Sequence, residues 1–460
     1  MSIISSVAPR SGRTTELILL LGAVGIVGLA YVNLGLATSG TLPPGLVAVG
    51  VGYLAVSLAF HVVLRWKAKY ADPLILPIVT LLNGLGLVMI HRVDIARGRE
   101  IADGVALRQL MWSALAVAIA TAVLFALRDH RLLRRYTWIA GVAGFALLLL
   151  PLMPIIGNSE YGSRIWIRLG PLSFQPGEVA KLLLAAFFAG YLVQTRDALS
   201  LAGRRILGLT LPRARDLGPI LIAWLASLSV LVFERDLGSS LLFFGLFVAM
   251  LYVATERVSW IAIGMGLFVA GAYLAYLTFG HVQTRVLLWL HTFSPEALQT
   301  SDQLAKGLMG MAAGGMIGTG IGRGRPDLTY LAESDFIVPS FGEELGMIGL
   351  FAILALYALL VERGLRTSLG TRDGFGKLLA AGLSFSMALQ CFVVVGGVTR
   401  VIPLTGLTMP FMSAGGSSLL ANWTLVAILL RISDHARRPV PDAQETSAVG
   451  AAHTQVVRLP

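Results

Sequence analysis

The chain has 460 residues, 56% of them hydrophobic and only 13% charged, with a mean hydropathy of +0.78, a balance that excludes a water-soluble globular fold. Its net charge of +11 comes without a basic stripe interleaved with aromatics, which points to cationic loops beside anionic lipid and to no nucleic-acid partner. The one cysteine, Cys391, excludes a disulfide framework and a thiolate metal cluster.

Apolar stretches long enough to cross a bilayer, which takes about 20 helical residues, recur along the whole chain. The sequence predicts twelve spans, at 16–36, 45–64, 73–90, 109–127, 137–156, 174–194, 217–233, 237–254, 259–279, 340–361, 378–398 and 409–430. The fold class is therefore all-α, a polytopic membrane helical bundle with one long extracellular loop at 280–339, and the short alternating segments of a β-barrel are absent from the sequence. Arg10 and Arg13 precede the first span, but no small-residue cleavage site follows it, so it reads as a retained helix.

An even number of spans puts both termini on one side. With that side cytoplasmic, about two-thirds of the 36 Lys and Arg residues fall inside, as the positive-inside rule requires. Segments 37–44, 157–173 and 281–339 are then outside, and 196–216 and 362–377 inside. The stretch 433–460 is small-residue-rich and polar and reads as a disordered cytoplasmic tail.

Ionisable residues gather on the outer side. The segment GSRIWIRLG (162–170) carries Arg164, Trp166 and Arg168, and SFQPGEVAKLLL (173–184) opens the sixth span with Glu178 and Lys181 on one helical face. A cation inside an apolar run needs a partner: Lys181 either pairs with Glu178 or faces an anionic ligand. FERDLGSS (233–240) places Glu234, Arg235 and Asp236 between two spans with almost no loop, either as a solvated turn or as part of a site.

Arg285, in QTRVLLWL (283–290), and Arg400, in GGVTRVIPLTG (396–406), complete an outward-facing cationic set. Guanidinium groups suit phosphate oxygens because they donate in pairs.

The long segment 280–339 holds MGMAAGGMIGTGIGRGRPD (309–327), whose glycines do not match G-x-G-x-x-G and follow no strand, so it reads as a re-entrant or interfacial segment rather than a nucleotide loop. Next come Glu333 and Asp335, in YLAESDFIVPSFGEELG (330–346). A carboxylate at the membrane surface beside a cavity is a general-base candidate; the alternative is that Ser334 and Asp335 cap a helix. The seven histidines are scattered without ligand spacing, and His61 reads as an ordinary membrane-edge residue. There is no nucleophile elbow.

Several segments together resemble the SEDS family (shape, elongation, division and sporulation), and within it the RodA type. They are NGLGLVMI (83–90), GSRIWIRLGPLSFQPGEVAK (162–181), ERDLGSS (234–240), GGMIGTGIG (314–322), ESDFIVPSFGEELGMIG (333–349) and IPLTGLTMPFMSAGGSSLLAN (402–422). Departures are QPGE for QPSE, ERDLG for QPDLG, SAGGSS for SYGGSS, and a shorter approach to Asp335.

The resemblance implies a ten-helix SEDS core at 73–432, preceded by an actinobacterial-like addition of two helices at 1–72. It also implies peptidoglycan glycosyltransferase activity that polymerises lipid II outside the plasma membrane, for cell elongation and shape, with inversion and with Asp335 as the base. Substrate contacts are expected from Lys181, Glu178, Arg164, Trp166, Arg168, Arg235, Asp236, Arg285, Glu333, Arg400, Ser413 and Ser417. The implied partners are lipid II and a class B penicillin-binding protein. The cofactor is open, with a divalent cation, Mg2+ or Mn2+, as the candidate. Competing classes are a lipid II flippase and a scaffold that only holds a synthase.

Overall fold

The computed structural model describes residues 11–43, 45–101, 103–153, 156–160, 163–169, 172–200, 205–206, 209–210 and 218–439. The apolar runs become helices because a chain in hydrocarbon must satisfy its own amides and carbonyls.

In chain order these are α1 (Arg13–Ser39), α2 (Leu46–Lys67), α3 (Ile75–Ala96), α4 (Val105–Ala126), the single turn α5 (Leu132–Arg135), α6 (Thr137–Leu149) and α7 (Pro176–Ser200). They continue with α8 (Gly218–Ser229), α9 (Leu237–Thr255), α10 (Val258–Thr278), α11 (Gly280–Leu290), α12 (Pro295–Thr300), α13 (Gln303–Gly314), α14 (Ile337–Gly370), α15 (Gly374–Val398) and α16 (Gly416–Arg437).

Ten described helices are long and apolar enough to cross a membrane: α1–α4, α7, α9, α10 and α14–α16. The other two expected spans are shorter. The fifth is the apolar helix Thr137–Leu152, and the seventh is α8 continued by a π-type turn, Val230–Glu234.

Helices α3, α7, α15 and α16 form the buried centre, whereas α1, α2 and α10 turn most of their surface outward. The pair α1–α2 is fixed by a buried polar cluster. Arg13 donates to Glu16 at 2.5 Å and to the Ala71 carbonyl, and the His61 Nδ1 lies 2.6 Å from Glu16 Oε1. His61 is therefore buried within the protein, and its partner Glu16 explains why it tolerates burial.

Three further features depart from the expected outline. The strands β1 (Gly157–Glu160), β2 (Ser163–Leu169) and β3 (Leu172–Phe174) form a three-stranded antiparallel sheet, and β4 (Arg205–Ile206) pairs antiparallel with β5 (Leu209–Thr210). The expected tail begins later, because 433–437 complete α16; residues 440–460, like 1–10, lie outside the described residues.

Finally, α14 is two helices joined at Gly346, whose φ of 69° and ψ of −173° break the hydrogen-bond ladder. A Cβ there would lie 2.2 Å from the Gly318 nitrogen, so only glycine fits. The break leaves a short first helix, from Ile337 to Leu345, carrying the buried Glu343 and Glu344.

Candidate active site

Asp335 sits in the tight turn before α14, where Ser334 and Phe336 both donate their amides to the Leu331 carbonyl. Neither Ser334 nor Asp335 caps α14: the residue before the helix is Phe336, and no side chain accepts from the first amides.

The turn is stitched to the 409–415 loop. Ser413 Oγ donates to the Ser334 carbonyl at 2.6 Å and accepts from the Met409 amide at 2.8 Å, and the Ala414 amide donates to the Glu333 carbonyl at 2.8 Å. That loop is itself clamped by α3 and α4. Asn83 donates to the Phe411 carbonyl at 3.1 Å, and Gln109 bonds Ser413 and Gly415 at 3.0 and 3.1 Å. Gly86 lets α3 approach so closely that a Cβ would stand 2.4 Å from the Met412 carbonyl oxygen.

So held, the half-buried Asp335 carboxylate has an Oδ1 without a hydrogen-bond partner. Burial pushes its pKa up to about 7; Glu333 adds to the rise, while its own backbone amide and the Arg285 charge oppose it. A fixed carboxylate with one free acceptor oxygen and a pKa near neutrality can take a proton from a hydroxyl.

Charges surround it in two sets. On one side Arg97 grips Glu333 with bonds of 2.6 and 2.7 Å and reaches the Thr329 carbonyl at 3.1 Å; Arg99 bridges Glu333 at 3.4 Å and Asp94 at 3.0 Å. On the other, Arg285 interacts with both Asp236 and Asp335 and donates to the Leu404 carbonyl. Asp236 is buried and caps α9, accepting from the Gly238 amide at 2.9 Å and Ser239 Oγ at 2.5 Å. Burial raises its pKa against those bonds and the Arg285 charge. The ERD segment is thus a built corner rather than a solvated turn: Glu234 is buried too, and Arg235, in the left-handed region at φ 58°, is exposed.

Arg285 also borders a cavity of about 390 Å3 between α8, α9, α10, α11 and residues 402–405, walled by apolar side chains such as Trp224, Phe244, Phe268, Val286 and Trp289. One guanidinium at the edge of an apolar pocket suits a ligand with an anionic head and a hydrocarbon tail.

The remaining expected contacts divide. Arg164, Trp166 and Arg168 alternate along β2 with Ile165 and the buried Ile167, so they share one face, with both arginines exposed. Lys181 is 2% exposed, and its ammonium meets Glu178 at 2.6 Å, Gln390 at 2.8 Å and Asn422 at 3.1 Å, which uses all three donors inside the protein. The pairing with Glu178 is therefore the arrangement seen.

Arg400 donates to the Trp289 and Leu290 carbonyls at 3.0 and 3.2 Å, tying its loop to α11. Ser417 accepts from the Gln175 amide at 2.9 Å. The Gly-rich segment folds round the chain's own carboxylates: the Gly322 and Gly324 amides donate to Glu344, and the Arg325 amide to Glu343. Arg92 neutralises Glu344 at 2.7 Å.

Arg92, Arg97 and Arg99 are the site residues that sequence reasoning passes over. Their signal was present, as a cluster of cations at the C-terminal end of α3, but Glu344 and Glu333, which they hold, stand more than two hundred residues away.

Against known proteins, a model of the FtsW/RodA/SpoVE family, described as cell cycle proteins, matches residues 73–438. The chain is 48% identical over 450 residues to the peptidoglycan glycosyltransferase RodA of Mycobacterium tuberculosis, covering 97% of this chain and 96% of that one. It is 48% identical over 413 residues to the protein of that name from Mycobacterium leprae, covering 89% and 88%.

Its fold matches a chain of a peptidoglycan synthase complex with a TM-score of 0.62 at 24% identity, over 80% of this chain and 99% of that one. It matches the rod shape determining protein RodA of Thermus thermophilus with a TM-score of 0.57 at 24% identity, over 82% and 100%. The matched residues contain α3 to α16 with the whole Asp335 turn, α1 and α2 lie outside them, and the chain belongs to the FtsW/RodA/SpoVE family.

Proposed function

We propose that Asp335 is the general base with which this chain, a peptidoglycan glycosyltransferase, joins the disaccharide units of lipid II. The observation that carries the assignment is the unpartnered Oδ1 of a carboxylate held at a pKa of about 7 beside Arg285.

Asp335 takes the proton of the acceptor's 4-hydroxyl as that oxygen forms its bond to the donor's anomeric carbon. The bond from that carbon to the lipid pyrophosphate breaks, and the electron pair leaves with the phosphate oxygen. A single displacement inverts the anomeric centre. Arg285 is placed to meet the anionic head at the cavity edge, with the polyprenyl chain against the apolar walls. The exposed Arg164 and Arg168 on β2 supply further positive charge.

The active side is proposed to be extracellular, with both termini cytoplasmic, from the distribution of Lys and Arg. A class B penicillin-binding protein is the proposed partner, on the strength of family resemblance. The domain reading is likewise a proposal: an added pair at 1–72, a catalytic core at 73–432 and a catalytic loop at 280–339.

Purified protein mixed with lipid II in detergent, with and without a class B partner, separates polymerase from flippase, since detergent has no sides to flip between. Glycan polymer supports the assignment. Folded protein that binds lipid II but yields no polymer in either mixture would favour the flippase.

A further inference from the structure

Two of the histidines that look scattered in the sequence meet in the fold. His130 lies in the turn between α4 and α5, His435 in the last turn of α16, and their rings stand 5.2 Å apart at 77°. Both lie at the end of the bundle opposite Asp335, because α4 and α16 run away from that side and α15 starts here.

His130 is fully buried, and its Nε2 is 2.8 Å from Asp373 Oδ2. Asp373 is fixed in turn, since its Oδ1 caps α15 by accepting from the Gly376 amide at 2.7 Å. The other ring nitrogen, Nδ1, is buried without a hydrogen-bond partner. It faces Asp129 Oδ1 at 3.5 Å, and Asp129, His130 and His435 each offer one ligand atom within 4.8 Å of the others.

An orphaned buried imidazole nitrogen costs free energy unless something fills its lone pair. With Nε2–H donated to Asp373, the tautomer leaves Nδ1 as a free donor atom, the carboxylate–histidine–metal arrangement seen around bound ions.

We propose that Asp129, His130 Nδ1 and His435 bind a Zn2+ ion, with Asp373 orienting His130 and a water completing a tetrahedron. Zinc bonds of about 2.0–2.2 Å place tetrahedral ligand atoms about 3.4 Å apart, and the partly exposed Asp129 and His435 close the gap by side-chain rotation. Imidazole with a carboxylate suits zinc better than the hard cations Mg2+ or Ca2+. Arg131, 3.6 Å from Asp373, opposes the ion's charge, but its side chain is half exposed and screened.

The ion clips the ends of α4, α15 and α16 together. Two of these, α15 and α16, supply Gln390 and Asn422 to Lys181.

The test uses full-length protein in detergent, freed of any affinity tag, stripped with a chelator and dialysed against Zn2+. One zinc per chain and a zinc-dependent rise in melting temperature are expected. In His435→Gln, zinc affinity falls at least about tenfold and the rise disappears, while the metal-free melting temperature stays at the parent value because the His130–Asp373 bond is intact. Asp129→Asn behaves likewise. Zinc retained equally by His435→Gln, or no zinc above the level of that variant, overturns the proposal.

Discussion

Arg97 holds both carboxylate oxygens of Glu333, at 2.6 and 2.7 Å, and so ties the residue two before Asp335 to the end of α3. One guanidinium nitrogen makes both of these bonds while the other reaches the Thr329 carbonyl at 3.1 Å, so the arginine holds the turn at two points, where a lysine has a single nitrogen to offer. Arg97→Ala is expected to reduce glycan polymerisation by about 5- to 150-fold, the equivalent of the roughly 1–3 kcal/mol of a charge left without its partner. Arg97→Lys is expected to fall between the two. Polymer yields for the three proteins, at matched folded concentration, check this; full activity of Arg97→Ala would show that Glu333 does not position Asp335.

Lys181 is expected to be structural. Lys181→Met leaves the buried Glu178 without its cation, at a cost of about 3–5 kcal/mol, read as a large drop in melting temperature. Lys181→Met combined with Glu178→Gln is expected to regain stability and polymerisation. A double variant that is stable but inactive would instead give Lys181 a phosphate contact.

The raised pKa of Asp335 fixes the sign of two pH effects. Polymerisation needs the carboxylate, so the rate rises with pH through about 7. Stability runs the other way. The folded-state pKa lies above the ordinary 3.8, so the residue's contribution is full below 3.8 and is lost as pH rises through about 7. Asp335→Asn cannot ionise and escapes that loss. Its melting temperature relative to the parent should climb between pH 5 and pH 8, by roughly 1–4 kcal/mol of stability. A constant difference across that range would contradict the buried-acid description.

The spans were legible because an apolar run of about 20 residues has few other uses. The break at Gly346 was not: GEELGMIG reads as the start of a helix, and the close approach of Gly318, which a Cβ at 346 would block, shows only in the fold. The alternation in SRIWIRL is that of a strand, a signal that counting apolar spans does not use. For the site, Asp335, Arg285 and Glu333 were singled out by charge near an apolar run. The Arg97–Glu333 grip, the Ser413 stitch and the His130–His435 pair depend on contacts between distant segments, which no local spacing encodes.

Single cysteines on a Cys391→Ala background test the sidedness. A cysteine at 281–339 is expected to react with an impermeant reagent on intact cells, and one at 362–377 only after permeabilisation. The reverse pattern would put Asp335 on the cytoplasmic side.

Asp335→Asn tests the central assignment most directly, because the amide keeps the size of the side chain and an acceptor oxygen but cannot take a proton. With purified, folded protein and lipid II, supplemented with a class B partner where the parent needs one, the parent is expected to make glycan polymer. The variant is expected to bind lipid II and make none. Polymer from Asp335→Asn at a rate near that of the parent would contradict a general-base role for Asp335.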